Sequence, residues 1–371
     1  MSYFDHSATT PIHPLVMEKM NSTCESHFGN PSSIHASGRK AKSIIESSRR
    51  MIAQSLQASS NQIIFTGSGT EANNSVLWSL IYEKNKHVVT SSIEHPAILK
   101  VLDSIAPFGV TYTKLPVNKF GEVDPNNLEE SIKENTGLIS IMMINNEVGT
   151  INPIKDLIKI AEQKNIPFHS DAVQALGKTH LSVKDIRADY LSFSGHKFYG
   201  PKGVGFLYKK NKSKLNPIII GGGQEDQFRA GTENISGIVG LAEAVRLSIE
   251  NLDKRILHLE KLESEFKDKL LQYSSNVIFN GHPENHAPGV ISASFLGKRS
   301  DILLAELDRQ GIEVSSGSAC GSGSVKPSFV LEEMGLPRDQ NTSTIRISFG
   351  RSNSMKDVNI LVNALVKFTN V

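Results

Sequence analysis

The sequence predicts an α/β protein with a mostly parallel sheet covered by helices, followed by a smaller α+β domain. From about residue 60 to 210, short apolar runs alternate with helical patterns, as in sheets that are covered on both faces. Polar residues suited to chemistry follow five of these runs. Beyond residue 240 the pattern changes to a long charged helix and then to further strands.

Five apolar runs are the predicted strands of the sheet. They are Ile63–Thr66, His87–Thr90, Leu138–Met143, Pro167–Ser170 and Tyr190–Phe193. Ligands bind beyond the carboxyl ends of the strands in such sheets. The polar groups found there are Gly67–Thr70, Glu94–His95, Asn145–Glu147, Asp171 and Lys197. Five groups at one edge indicate a functional site.

A second domain is predicted after a single amphipathic helix over residues 242–271. Its expected strands are Gly289–Phe295, Gly311–Ser315 and Ser343–Ser348, and its expected helices are Asp301–Leu307 and Val358–Phe368. We assign residues 12–255 to the large domain. The small domain takes residues 1–11 and 256–371.

Composition excludes several classes of protein. The 371 residues include 40 basic and 38 acidic side chains, which give a net charge of +2. This balance does not indicate a surface that binds nucleic acid or membranes. No apolar run has the length of a membrane span, and the first residues lack a signal-peptide pattern. We therefore expect a cytoplasmic protein without a membrane or direct nucleic-acid partner.

Lys197 and Asp171 form the chemical centre of the prediction. Lys197 follows the strand-like run Asp189–Phe193, where burial and nearby positive charge favour the neutral amine that attacks a carbonyl. Asp171 ends another such run and can keep a pyridine nitrogen protonated, and Gln174 follows it by one turn. Singly, the lysine suits a solvated surface and the aspartate a helix cap. Together they predict a pyridoxal phosphate site.

A phosphate cup is predicted at Gly67–Asn74, where small residues join a strand to a helix and leave backbone N–H groups free. The alternative is an ordinary turn with a Ser or Thr helix cap. Ser194 and His196 add donors from the lysine loop. The segment Phe228–Asn234, after the glycines at 221–223, supplies another hydroxyl and an arginine.

Two further side chains suit the site. His95 precedes Pro96 at an expected helix start, where its ring can stack on a flat cofactor and move protons, although most histidines are structural or at the surface. Arg346 lies mid-strand between Ile345 and Ile347. It can grip a substrate carboxylate or pair with a core Asp or Glu. No metal ligands are assigned.

The two cysteines, Cys24 and Cys320, lie far apart in sequence, which does not suggest a disulfide framework. Cys320 lies in Ser315–Ser324, a run of small residues that suits a travelling thiolate nucleophile. Cys24 lies in a helix-like pattern, and we expect it to pack in the core.

Taken together, the chain resembles the cysteine desulfurases of the NifS/IscS type, in the fold-type I, class V aminotransferase superfamily of pyridoxal phosphate enzymes. The likeness runs nearly end to end. Its signposts are Phe4–Pro11, Phe28–Ser33, Thr70–Glu71, Glu94–His95, Asn145–Gly149, Asp171–Gln174, Ser194–Lys197, Arg229–Thr232 and Ser315–Cys320. The last motif resembles the longer-loop group I enzymes.

The resemblance implies a seven-stranded sheet, pyridoxal 5'-phosphate as cofactor and a role for each site residue. Lys197 carries the cofactor, Asp171 holds its ring nitrogen, Gln174 and Asn146 bond its phenolic oxygen, and His95 stacks on the ring and assists proton transfer. The implied phosphate ligands are Gly69, Thr70, Ser194 and His196, with Thr232 supplied by the other subunit of a homodimer.

The implied reaction takes sulfur from L-cysteine. Arg346 and Asn146 bind the substrate, and Cys320, on a loop of about residues 315–328, attacks its sulfur, releasing alanine and leaving a persulfide. An acceptor protein of iron–sulfur cluster assembly or tRNA thiolation then receives the sulfur. The chain departs from the family pattern at Gly69, where relatives often have Ala, and at Gly321. A selenocysteine lyase or an aminotransferase of the same superfamily would share Lys197 and Asp171 without needing Cys320.

Overall fold

The computed structural model describes residues 2–317 and 327–369. Within these ranges it has twelve strands and thirteen α-helices, numbered in chain order. The strands are β1 Ser2–Tyr3, β2 Ile63–Thr66, β3 His87–Ser91, β4 Thr111–Leu115, β5 Thr136–Ser140, β6 Phe168–Asp171, β7 Tyr190–Ser194, β8 Gly205–Lys209, β9 Val277–Asn280, β10 Val290–Phe295, β11 Ile312–Glu313 and β12 Thr344–Ser348. The helices are α1 Pro14–Ser26, α2 Ala36–Ser55, α3 Gly69–Ser79, α4 Pro96–Ile105, α5 Pro125–Ser131, α6 Ile154–Gln163, α7 Val183–Ile186, α8 Ile235–Glu250, α9 Leu252–Tyr273, α10 Ser300–Arg309, α11 Phe329–Glu333, α12 Arg338–Thr342 and α13 Met355–Thr369.

The central sheet has seven strands in the order β2-β8-β7-β6-β5-β3-β4. Only β8 runs against its neighbours, so β2 is parallel to β7 and the remaining strands. Every residue of β2, β3, β6, β7 and β8 is buried, as expected for a sheet with helices on both faces. The predicted α/β fold with a mostly parallel sheet is confirmed.

Six of these strands therefore end at one edge of the sheet. The turns after β2, β3, β5, β6 and β7 carry the five polar groups that the sequence places beyond strand ends. Gly69 and Thr70 open α3, His95 caps α4, and Lys197 ends a short 3-10 turn after β7. The sheet topology brings these groups to a common face.

Apolar side chains also form a second core away from this sheet. It contains residues of the small three-stranded sheet β12-β10-β9 together with Leu262 and Phe266 of α9 and Leu361 of α13. Phe4, from the first residues of the chain, is fully buried in the same core. The N-terminal segment thus packs with residues from the last third of the chain, although the exact domain limits stay a prediction.

The sequence missed or misread several elements. The sequence pattern does not predict strands β4, β8 and β9, and the prediction of a single helix over residues 242–271 is wrong. These residues form two helices, α8 and α9, because the backbone at Asn251 leaves helical geometry with φ −111° and ψ 17°.

The expected burial of Cys24 is also wrong. Cys24 is exposed near the end of α1. The inward face of this helix holds Val16 and Thr23, and because each helical residue turns about 100°, the side chain after Thr23 points away from the core. None of the helices described combines the length and apolar character needed to cross a lipid bilayer.

A buried ion pair anchors the segment that leads to Thr232. Both guanidinium Nη atoms of Arg49 on α2 contact the Glu225 carboxylate, at 2.6 and 2.7 Å. Glu225 Oε2 also accepts from the backbone N–H of Phe65 in β2, at 2.8 Å. Glu225, Asp226 and Gln227 all have positive φ angles, a conformation that costs free energy in residues other than glycine. The ion pair therefore holds a strained turn against the sheet.

We expect Glu225→Ala to lower the free energy of unfolding by about 3–5 kcal/mol, because it leaves a buried guanidinium without its counter-ion. Glu46→Ala is the matched control. Glu46 contacts the same arginine from the surface at 3.2 Å, and exposed pairs contribute about 1 kcal/mol or less. Denaturant unfolding of both variants checks the difference, and equal losses would contradict the role given to Glu225.

Candidate active site

Lys197 is held by main-chain carbonyl groups from the first residues of the chain. Its Nζ donates to the carbonyl of Ser7 at 2.8 Å and to that of Ala8 at 2.7 Å. Burial, and next the charge of Arg346, lowers the pKa of the amine to about 8, while Asp171 and Asp5 act in the opposite direction. A useful fraction of the amine is therefore neutral near physiological pH and can attack a carbonyl.

Asp171 lies at the end of β6 with both carboxylate oxygens engaged. Oδ2 accepts from Nδ2 of Asn73 at 2.7 Å, and Oδ1 accepts from the backbone N–H of Val173 at 3.0 Å. Asp171 is 7% exposed. Because these donors satisfy a carboxylate without neutralising its charge, Asp171 can stabilise a protonated ring nitrogen.

The side-chain amides of Gln174, Asn145 and Asn146 have different hydrogen-bond partners. Asn145 is structural, since its Oδ1 accepts from the backbone N–H of Glu147 and Val148 and its Nδ2 donates to Ile93. In the described parts of the chain, the side-chain amide of Asn146 makes no hydrogen bond and stays free for a ligand. Gln174 is buried and its Nε2 donates to the carbonyl of Ser7 at 2.9 Å.

His95 caps helix α4 as the sequence predicts. Its Nδ1 accepts from the backbone N–H of Ala97 at 3.0 Å, so in the neutral ring the proton lies on Nε2, which is free for a ligand. His95 is exposed to solvent. The protein packed around it lowers its pKa, and Lys197 acts in the same direction while Asp171 opposes it. His95 is thus a neutral acid–base group beside Lys197 and Asp171.

Glu94, just before His95, ties two strand ends together in a buried position. Its Oε1 accepts from Ser91 Oγ at 2.6 Å and from the backbone N–H of Met142 at 2.8 Å. Burial raises the pKa of this carboxyl to about 8, so it is mainly protonated at neutral pH. Glu94 therefore fixes the β3 and β5 ends without adding a full charge to the site.

The predicted phosphate cup lies at the N-terminus of α3. The Ser68 side chain caps this helix by accepting from the backbone N–H of Glu71 at 3.2 Å, as the alternative of an ordinary helix cap predicts. Gly69 and Thr70 lie in the first turn, where helix N–H groups lack intrahelical partners. A Cβ at Gly69 would be 2.5 Å from Val173 Cγ2 and 3.3 Å from Ser194 Cβ, so an alanine there would require Val173 to move.

Ser194 borders this cup, and His196 lies two residues further along the chain, in the lysine loop. His196 Nδ1 is 3.1 Å from the hydroxyl of Thr9, and burial lowers the pKa of its ring to about 4. The ring is neutral at physiological pH and offers hydrogen bonds rather than charge. Ser194 is buried at the end of β7.

Arg346 is buried in β12 and faces the site rather than the second core. Its Nη2 contacts Asp5 Oδ1 at 2.7 Å, and its Nη1 donates to the carbonyl of Asn146 at 2.9 Å. Its Nε is buried without a partner among the described residues. The arginine therefore pairs with an acid, as one interpretation predicts, and its contact with a substrate carboxylate stays a prediction.

Glu147 lies between the two described ends of the segment that contains residue 320. Its Oε2 accepts from Ser328 Oγ, and a Cβ added at Gly317 would be 2.1 Å from the same oxygen. Arg346 opposes the rise in its pKa that burial causes. Cys320 itself lies outside the described residues, so its predicted role stays a prediction.

Thr232 is exposed, three residues after Arg229, whose Nε contacts Glu71 of the phosphate-cup helix at 2.9 Å. Its expected contribution to a partner subunit stays a prediction. Among the described residues, no three His, Cys, Asp or Glu side chains are arranged to hold a metal ion.

The sequence alone did not indicate three further contributors to the site. Asp5, Asn73 and the carbonyl groups of Ser7 and Ala8 support Arg346, Asp171 and Lys197 respectively. Asp5 and Asn73 both lie in motifs that the sequence singles out, but their partners are 341 and 98 residues away. A local pattern contains no signal for such contacts.

The arrangement fits pyridoxal phosphate. An amine that is partly neutral, a satisfied carboxylate, the side-chain amides of Gln174 and Asn146, and a helix N-terminus lined by Gly69 and Ser194 correspond to its aldehyde, ring nitrogen, phenolic oxygen and phosphate. The buried Nε of Arg346 is a donor left for an anionic substrate.

Comparison with known proteins agrees with this chemistry. The class-V aminotransferase family matches residues 2–361. A curated cysteine desulfurase IscS from Dictyoglomus turgidum is 42% identical over 366 residues, covering 98% of this chain and 93% of the relative.

Solved structures show the same likeness. A NifS-like protein superimposes with a TM-score of 0.94 at 35% identity, covering all of this chain and 99% of that one. A structure described as SspA in complex with cysteine has a TM-score of 0.84 at 35% identity, covering 94% of this chain and 99% of that one.

The lowered pKa of Lys197 predicts how its reactivity depends on pH. In the cofactor-free protein, the rate at which an amine reagent labels Lys197 should rise with pH and level off above about 8. Peptide mass spectrometry at a series of pH values measures this rate. Labelling of exposed lysines, the internal control, keeps rising to about pH 10, and the same profile for Lys197 would contradict the assignment.

Proposed function

We propose that this chain, which belongs to the class-V aminotransferase family and is a pyridoxal-phosphate-dependent cysteine desulfurase, binds its cofactor through Lys197 and accepts sulfur on Cys320. The observation that carries the cofactor role is the buried Lys197 amine, held by two carbonyl groups near Asp171. When bound, the cofactor supplies an electron sink for the Cα of the substrate.

The chain's own residues orient the ligands of this reaction. Asp171, braced by Asn73, holds the ring nitrogen, and Gln174 and Asn146 bond the phenolic oxygen. His95 stacks on the ring and moves protons through Nε2, because Nδ1 is occupied by the helix cap. Gly69, Thr70, Ser194 and His196 bind the phosphate.

Arg346 is the proposed partner of the cysteine carboxylate. Its guanidinium is already fixed by Asp5 and by the Asn146 carbonyl, so little side-chain freedom is lost when a carboxylate binds. The Asn146 carbonyl contact also ties the arginine to the residue proposed at the phenolic oxygen.

Sulfur transfer then requires a thiolate. The Cys320 sulfur attacks the sulfur of bound L-cysteine, an S–S bond forms as the Cβ–S bond breaks, and the electron pair left on Cβ takes a proton to give alanine. The enzyme keeps a persulfide, which it passes to an acceptor protein. We place that acceptor in iron–sulfur cluster assembly or tRNA thiolation and the enzyme in the cytoplasm. Affinity capture of the persulfide form and cell fractionation test these two assignments.

We further propose a homodimer in which Thr232 completes the phosphate site of the partner. Supporting this are Phe28, Ile34 and Ile220, which are 82, 90 and 80% exposed. Pro31 and Ser32 line one cavity with Glu225 and Glu233. The segment that carries Phe28 and Ile34 therefore lies next to the segment that carries Thr232. Exposed apolar clusters of this kind mark interaction surfaces.

We expect Cys320→Ser to reduce release of sulfide from L-cysteine by about 10³-fold or more, because the nucleophile is lost. The cofactor absorption should remain. Cys24→Ser is the matched control, since Cys24 is exposed on α1, and it should keep full activity. Sulfide release retained by Cys320→Ser would refute the proposed mechanism. Turnover of selenocysteine retained by that variant would favour the lyase.

Mixed dimers test the role of Thr232. Lys197→Ala and Thr232→Ala chains should each be impaired alone, but a dimer of one of each has one intact site if Thr232 serves the partner. Restored activity in the co-purified heterodimer is the expected result. If Thr232 acts within its own chain, or the protein is monomeric, no intact site forms and activity stays low.

A further inference from the structure

We propose that Lys178 is a positioning residue that fixes the side-chain amide of Gln174 so that its NH₂ group faces the cofactor site. This inference rests on the proposed function, because Gln174 is the residue assigned to the cofactor's phenolic oxygen. Lys178 itself would not touch the cofactor.

The backbone places the two side chains on one side of a turn. Gln174 and Lys178 are four residues apart in the segment after β6, where the N–H groups of Lys178 and Thr179 both donate to the carbonyl of Ala175. Ala172, Ala175 and Leu176 of this turn are buried in the core of the large sheet. The turn is therefore anchored, and the two polar side chains project from it together.

A chain of hydrogen bonds joins Lys178 to Lys197. Lys178 Nζ donates to Gln174 Oε1, Gln174 Nε2 donates to the Ser7 carbonyl at 2.9 Å, and Lys197 Nζ donates to the same carbonyl at 2.8 Å. The oxygen of the Gln174 amide thus faces a donor, and its nitrogen faces an acceptor.

The chemistry of these partners leaves one orientation of the amide. In its charged form a lysine amine only donates, and a backbone carbonyl only accepts. If the amide flipped, its NH₂ would face the donor Lys178 and its oxygen would face the Ser7 carbonyl, so both hydrogen bonds would be lost. Lys178 therefore keeps the Gln174 donor turned towards Ser7 and Lys197, where a phenolate oxygen needs it.

The charge of Lys178 is not balanced by a nearby carboxylate. Within the described residues it forms no ion pair, and the charged or titratable groups around it are His6 from the N-terminal segment, Lys197 from the turn after β7 and Arg346 from β12. Burial, followed by Lys197 and Arg346, lowers the pKa of Lys178 to about 7. A buried amine without an acidic partner is unusual for a structural lysine and suits a group that acts on the site.

Lys178→Met tests the proposal, because methionine keeps the length and apolar stem but donates no hydrogen bond. We expect its dissociation constant for pyridoxal phosphate to rise about tenfold, the effect of roughly one lost hydrogen bond. Lys178→Arg keeps a hydrogen-bond donor at this position and should restore cofactor binding to near the wild-type value.

A Gln174→Ala background separates positioning from general stability. If Lys178 acts through Gln174, adding Lys178→Met to Gln174→Ala should weaken cofactor binding little further. Equal effects of Lys178→Met with and without Gln174, or no effect on cofactor binding, would overturn the inference. If Lys178→Met does not fold, as judged by circular dichroism, Lys178→Gln takes its place in the same comparisons.

The wild-type protein distinguishes this inference from the proposed function. Borohydride should fix pyridoxal phosphate to Lys197 in the wild type, and failure there would remove the proposed function as well. Fixation in the wild type, with Lys178→Met indistinguishable from it, would remove the Lys178 inference alone.

Discussion

The burial of the Lys197 amine is the constraint on which the rest of the site depends. An amine away from water loses its hydration, and this one regains hydrogen bonds from the Ser7 and Ala8 carbonyl groups. Burial and Arg346 favour its neutral form, while Asp171 and Asp5 restrain that shift. The result is an amine that is neither permanently charged nor unsatisfied.

Cationic and acidic side chains share this small volume, and ion pairing and neutral forms limit its net charge. Arg346 is paired with Asp5, the His196 ring is neutral, and the Glu94 carboxyl is mainly protonated. Such a site attracts a phosphate and a carboxylate while its amines remain reactive. The N-terminal segment is central to this balance, because it supplies Asp5 and the carbonyl groups of Ser7 and Ala8.

The proposed cofactor-binding residues lie on rigid elements. Lys197, Asp171, His95 and Arg346 each lie in or directly beside a strand or helix end, which suits the fixed geometry that cofactor chemistry needs. Glu147 contacts both described flanks of the segment containing residue 320. A sulfur acceptor on such a segment would be tethered at its ends near Arg346 while the centre that binds the substrate stays fixed.

The sequence determined the features that depend on local pattern. Apolar runs marked five strands, the residues after them marked the site, and Pro96 after His95 marked a helix start, because strand burial and helix capping have short-range signatures. The tertiary structure alone decided which distant residues meet. The Arg346–Asp5 pair, the carbonyl contacts to Lys197, the Asn73–Asp171 bond and the hydrogen bond chain from Lys178 join segments far apart in sequence. The predictions of a buried Cys24 and of one continuous helix across Asn251 were wrong for the same reason. Helical periodicity cannot reveal which face a neighbouring element covers or where two helices separate.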